Sequence, residues 1–146
     1  MNLDILKIAS ATKYNKNIEE PTHYSKLKNP LCGDEIQIKL VVNKDKIVDF
    51  GYKGKYCIYC QASVSLLSEI SINKKIVKID QLCQSAERYF EGKNEIFEKK
   101  TSGLKKLFNK KNLSRKECIL LPFKTFKKIK KKFLSNFVSI KEKLYL

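Results

Sequence analysis

Cys32, Gly33 and Asp34 stand side by side in the stretch NPLCGDEIQIKL, residues 29–40, at the mouth of an alternating strand. Turn chemistry accounts for Asn29, Pro30 and Gly33, but it does not require a thiol and a carboxylate two positions apart, whereas a ligand site does. Two more cysteines occupy comparable places, Cys57 directly after a second strand and Cys118 just ahead of a final helix. Cys57 and Cys118 both precede expected helices, where unpaired amides and the helix dipole favour a thiolate and lower its pKa. Metal ligation and sulfur transfer both need that thiolate. The competing reading is that these are small buried hydrophobes, and spacing does not decide between the two, because the three are far apart in the chain.

The elements that must carry these residues follow from periodicity. LDILKIASATKY has Leu3, Ile5, Leu6 and Ile8 in a short helical pattern, and a polar loop through Pro21 and Pro30 follows. EIQIKLVV puts Ile36, Ile38 and Leu40 on one face, NKDK turns, and IVDFGYKG continues as a second strand of an antiparallel hairpin. CQASVSLLSEI reads as a helix whose small residues Ala62, Ser63 and Ser65 permit close approach to the sheet. Asp80 suits the N-cap of QLCQSAERYF, which Gly92 would end. Phe97, Leu104 and Leu107 suggest a shorter helical stretch. Phe123, Phe126, Ile129, Phe133 and Phe137 suggest a last helix with Pro122 in its first turn. Strands first and helices after imply an α+β fold, a small antiparallel sheet of the hairpin plus a third strand with helices packed on one face. The length suits one domain over residues 1–146, with a Lys-rich C-terminal helix.

Composition narrows the function classes. No apolar run approaches the roughly 20 residues of a transmembrane segment, and the start, MNLDILKIAS, resembles no secretory signal. Cysteines in such a chain indicate a reducing, cytoplasmic setting. The net charge is +16, yet only Arg88 and Arg115 among the 31 basic residues are Arg. Residues 1–98 are near neutral at +2, whereas residues 99–132 carry 14 basic side chains against Glu117 alone. The positive field therefore belongs to the C-terminal part. The scarcity of Arg argues against nucleic acid as a partner.

NPLCGDEIQIKLVV, VDFGYKGKYCIYCQASVSLL and RKECILLPFKTF together resemble the three cysteine blocks of the U-type iron–sulfur cluster assembly scaffolds, the IscU/NifU/SufU family, over roughly residues 25–130. The resemblance implies a U-type scaffold fold in one NifU-like N-terminal domain. It also implies that Cys32, Cys57 and Cys118 hold a nascent [2Fe–2S] cluster or a Zn²⁺ ion, with Asp34 as the acidic residue that joins them. Cys118 and Cys57 are then the candidates to accept sulfur. The implied partners are a cysteine desulfurase, iron–sulfur acceptor or carrier proteins, and a second copy in a transient homodimer. Two departures bear on the branch: Glu117 stands where classical cluster scaffolds have a His before the third cysteine, and FNKKNLSRK replaces their Leu-Pro-Pro-Val-Lys motif. These departures, with the 61-residue separation of Cys57 and Cys118, lean towards SufU-like or divergent NifU-like members.

Cys60 is an addition where the family has a small residue. CIYC could be a thioredoxin-like redox pair, but no βαβ pattern surrounds it, and a buried thiol or an alternative thiolate beside Cys57 fits better. Cys83 reads as core, and His23 as a solvated loop side chain or an auxiliary ligand. The Lys-rich last helix has a core-packed aromatic stripe and a cationic face that could dock an acidic partner. The leading expectation is a non-enzymatic scaffold that takes sulfur from a desulfurase, builds a [2Fe–2S] cluster and passes it on. The alternatives are a zinc-dependent sulfurtransferase and a basic RNA- or membrane-binding module.

Overall fold

Ile36, Ile38 and Leu40 can be hidden together only if their segment is extended and one face is covered. In the computed structural model, which describes residues 2–92 and 103–131, all three are fully buried on strand β2, Glu35–Asn43. Lys44 and Asp45 then take positive φ, 51° and 66°, the type I′ geometry of a two-residue hairpin. The chain returns as β3, Lys46–Lys55, antiparallel to β2 with Asn43 opposite Lys46. On the other side of β2 lies β1, His23–Lys28, and β4, Lys130–Lys131, adds two residues beyond it. The order is β3-β2-β1-β4, antiparallel throughout.

Strand β1 occupies what the sequence reads as polar loop. Its inward positions are the buried His23 and Ser25, with Leu27 partly covered. Burial alternates, but hydrophobicity does not, so the period-2 signal is silent. His23 is therefore a buried strand residue, not a solvated loop side chain. The outer edge of β3 is also occupied: the Tyr52 N–H donates to the Tyr14 carbonyl at 3.1 Å, and Lys16 pairs with Asp49 at 2.8 Å. That stretch of the edge is thereby closed to strand pairing with another chain.

Helix α1, Leu3–Ala9, is capped by Asn2, whose side chain accepts the Asp4 N–H, and buries Ile5 and Ala9. The long α2, Ile58–Ser71, runs through the middle and is buried on most sides. Its small residues admit neighbouring helices more than the sheet: Ser63 Oγ donates to the Ile119 carbonyl and Ser65 Oγ to the Ala11 carbonyl, both at 2.5 Å. Helix α3, Ile76–Phe90, begins upstream of Asp80, which is internal to it. The connection is pinned to the hairpin, because the Ile76 N–H donates to the Asp45 carbonyl at 2.9 Å and the Asn73 N–H to the Ile47 carbonyl at 2.8 Å. Those bonds fix the helix start where no capping side chain marks it. Gly92, φ 83°, follows the C-cap Glu91 as expected.

The short α4, Leu104–Leu107, buries both expected leucines; Phe97 lies outside the described residues. A 3-10 segment, Lys110–Arg115, leads into α5, Lys116–Lys127. Helix α5 thus starts six residues before Pro122, which sits inside it and is buried. A proline there removes only the N–H that would reach the Cys118 carbonyl, so the turn survives. The helix stops at Lys127 and Lys130–Lys131 turn into strand β4, so the cationic helical face ends earlier than expected; Phe133 and Phe137 lie outside the described residues. Helix α5 lies over β1 and β2, and α2 over β3, which covers the apolar face of the sheet.

Candidate functional site

Three chain segments end at one corner of the fold: the β1–β2 loop, the start of α2 and the start of α5. The loop spans residues 29–34 and is shaped by its own polar groups. Asn29 Oδ1 accepts the Leu31 N–H at 2.9 Å, the Asn29 carbonyl accepts the Gly33 N–H at 2.8 Å, and the Asn29 N–H donates to the Asp34 carbonyl at 2.7 Å. Gly33 has φ 77°, a left-handed conformation that a side chain disfavours. The loop leaves Cys32 exposed and turns the Asp34 carboxylate towards α2, where Oδ2 accepts the Cys57 N–H at 3.2 Å. Gly33→Ala is expected to cost about 1 kcal/mol in stability and to weaken metal retention by displacing Cys32. Gly33→Asn should recover most of both, since Asn tolerates that conformation. Thermal melts and zinc titration read the two effects.

Cys57 is the half-buried N-cap of α2. Cys118 is the third residue of α5, inside the helix rather than ahead of it, and only 8% exposed. The ligand atoms of Cys32, Asp34 and Cys118 all lie within 4.8 Å of one another. A tetrahedral zinc with thiolates at about 2.3 Å has ligand atoms about 3.8 Å apart, so small movements would close this triad on one ion. Cys57 is not in that triad but adjoins it, through its amide on Asp34 and its thiol against Cys118.

Helix starts were expected to lower the cysteine pKa values, and for Cys118 the opposite holds. Burial pushes the Cys118 thiol well up, the hydrogen bond and charge of Cys57 add to it, and Cys32 and Asp34 contribute further. Forming a thiolate at Cys118 in this half-dry corner is therefore unfavourable without a cation beside it. A metal reverses that balance, converting mutual repulsion into ligation and releasing protons.

Cys60 is fully buried one helical turn into α2, and its thiol is held well above its usual range by burial and then by Cys57, Asp34, Cys118 and Cys32. It lies behind the site, a buried thiol as expected. Cys83 is likewise core, on α3. His23 Nδ1 lies 2.8 Å from Thr22 Oγ1 on β1. Sequence reasoning missed the groove beside Cys57, about 360 Å³, which Ile5, Ile58, Tyr59 and Arg115 line with it. The Arg115 guanidinium lies over the Tyr59 ring, 5.3 Å from its centroid. The one available signal was that Arg115 is one of only two Arg among 31 basic residues. Of the lysines expected on the last helix, Lys127 pairs with Glu87 at 3.3 Å, and Lys124 pairs with Glu117 at 3.5 Å.

Known structures of this shape define the class. A protein described as a candidate iron–sulfur cluster assembly scaffold for the SUF system, from Fervidobacterium islandicum AW-1, superimposes with a TM-score of 0.76 at 28% identity, covering 86% of this chain and 93% of that one. The N-terminal part of a nitrogen-fixing NifU-like protein from Brucella abortus shares the fold with a TM-score of 0.76 at 21% identity, over 86% and 88% of the two chains. The fold is thus that of the U-type scaffolds, an α+β arrangement as expected. The NifU-like N-terminal domain family model matches residues 9–93. The iron–sulfur cluster assembly scaffold protein IscU of Thermotoga maritima is 33% identical over 129 residues, 88% of this chain and 90% of that protein. The chain belongs to the NifU-like N-terminal domain family of iron–sulfur cluster assembly scaffolds. The Thermotoga and Fervidobacterium relatives are described as scaffolds, and among the described residues no helix is long and apolar enough to cross a membrane.

Proposed function

We propose that this chain builds a [2Fe–2S] cluster on Cys32, Cys57, Cys118 and Asp34 with sulfur from a cysteine desulfurase, and hands it to acceptor proteins. The observation that carries this reading is the convergence of Cys32, Asp34 and Cys118 within 4.8 Å with Cys57 alongside. Iron and cluster are cargo, so the site must grip and also let go. Soft thiolates grip iron and sulfide well; the hard Asp34 carboxylate is the weaker ligand and gives release a starting point. Cys32 and Asp34 sit at the solvent side and Cys118 at the dry side. A cluster held there is accessible from the loop.

A second reading has its own support. Glu117, not His, precedes Cys118, and the triad is sized for a single ion, which suits a zinc-bound sulfurtransferase partner of a desulfurase. Anaerobic purification followed by metal and acid-labile sulfide analysis separates the two. Iron with sulfide and visible charge-transfer bands is the expected result. Stoichiometric zinc that resists iron and sulfide reconstitution would transfer the proposal to the second reading. A protein that takes up neither metal would sink both.

A further inference from the structure

Cys60, one helical turn from Cys57, is a thiol that cluster ligation leaves unexplained. Cys57 is the N-cap of α2 and Cys60 its third residue. An N-cap side chain reaches the third residue of its helix, and side chains in a helix lean towards the N-terminus, so the Cys60 thiol leans back towards Cys57. Helix geometry sets positions three apart at about 5 Å between Cα atoms, inside the span of about 4.4–6.8 Å that a disulfide bridges. Neither thiol is committed to helix capping, since Cys57 makes no side-chain cap bond. Cys60 is fully buried. A second observation concerns the metal ligands: the converged triad is Cys32, Asp34 and Cys118, with Cys57 outside it. Three ligands can hold iron while Cys57 is occupied with sulfur.

We propose that Cys60 is the resolving thiol for a persulfide carried on Cys57, and that the pair delivers sulfide into the site. This rests on the sulfur-accepting reading above and deepens it. A desulfurase hands over sulfane sulfur, whereas a cluster is built from sulfide; two electrons must come from somewhere. Here they come from the pair. The Cys60 sulfur attacks Cys57 Sγ and a bond forms between them. The bond from Sγ to the outer sulfur breaks, and the outer sulfur leaves with the electron pair as hydrosulfide, taking the Cys60 proton if released as hydrogen sulfide. The sulfane sulfur is reduced to sulfide, and the two thiol sulfurs are oxidised to a disulfide. A cellular dithiol then reduces that disulfide by exchange and is itself oxidised, returning Cys57 as a ligand. Burial hides Cys60 from outside oxidants, and its place one turn from Cys57 makes the attack intramolecular, which offsets the scarcity of thiolate at a buried sulfur.

The full chain, metal-free and reduced, is treated anaerobically with sodium tetrasulfide and followed by mass spectrometry with trapping of released sulfide. The parent should yield a Cys57–Cys60 disulfide and free sulfide without added thiol. Cys60→Ala should keep a persulfide on Cys57, heavier by one sulfur atom, with a lifetime longer by about tenfold or more, and should still bind zinc. Cys60→Ser repeats the test should Ala at this buried position fold poorly. Equal persulfide lifetimes in parent and variants would overturn the proposal, as would a disulfide from Cys57 to Cys32 or Cys118 in place of Cys60. Loading Cys60→Ala from a cysteine desulfurase and L-cysteine tests the underlying reading separately. No persulfide from the enzyme, with normal behaviour after tetrasulfide, would sink sulfur acceptance and leave the chemistry of the pair intact.

Discussion

Asp34→Ala is expected to keep a reconstituted cluster longer in air and to pass it to an apo-ferredoxin more slowly, by about tenfold, or about 1.4 kcal/mol in the transfer barrier. The carboxylate is a hard ligand among soft ones, and it already shares its charge with the Cys57 N–H at 3.2 Å. Its bond to iron in the proposed site would therefore be the one that solvent or an incoming thiol displaces first. Without it the exchange route closes. The substitution also removes a negative charge beside the start of α2, which costs up to about 1 kcal/mol of fold stability. Asp34→Asn, which keeps an acceptor for the Cys57 N–H, separates that loss from the ligand effect. Cys118→Ser should by contrast abolish stable assembly, because it sets a hard, poorly ionised oxygen in a buried position. In a zinc-loaded protein the sign for Asp34→Ala reverses, and retention falls by at least about tenfold. An Asp34→Ala protein with parental metal content, lifetime and transfer rate would show that Asp34 serves only its turn.

Gly54→Ala is expected to be the most damaging change outside the ligands. Gly54 faces Ile36 across the β2–β3 ladder. A Cβ there would fall onto the Glu35 carbonyl oxygen, with the Glu35 carbonyl carbon and Ile36 Cα both at 3.0 Å. All three are backbone atoms and cannot rotate away. The strands must part just where Asp34 and Cys57 are held together, so fold and site suffer at once. The expected loss is more than about 3 kcal/mol of stability, with weakened zinc binding beyond the unfolding range. A denaturant midpoint within error of the parent would refute the close approach.

How much was legible beforehand depended on which residues carried the signal. Ile36, Ile38 and Leu40 announced β2, and the turn that follows announced the hairpin, because apolar alternation and turn chemistry are local. Strand β1 was hidden because His23 and Ser25 are polar residues in inward positions, a choice made by neighbours distant in sequence. Helix α5 was read from Pro122 onward because proline normally opens helices, whereas here the tight packing of Ile119, Leu121 and Phe123 sustains the turn around it. At the site, the cysteine blocks and their resemblance pointed to Cys32, Asp34, Cys57 and Cys118, which the fold brings to one corner. Spacing alone could not say that Cys118 lies inside its helix and that burial outweighs the dipole at its thiol. The groove with Tyr59 and Arg115 was invisible, since its walls come from α1, α2 and the residue that leads into α5.

The proposed ligands come from three separate stretches of chain, and Cys32 and Cys118 lie 86 positions apart. A metal bound among them is thus a reversible cross-link, closing most of the described chain into loops that the unfolded state must otherwise leave open. Cargo then becomes part of the folding equilibrium: every tenfold rise in free metal above its dissociation constant adds about 1.4 kcal/mol to the native state. Delivery removes that contribution in one step, so the emptied protein melts lower and opens more often than the loaded one. Anything in the cell that senses stability, a protease above all, could distinguish a scaffold carrying its cluster from one that has given it away.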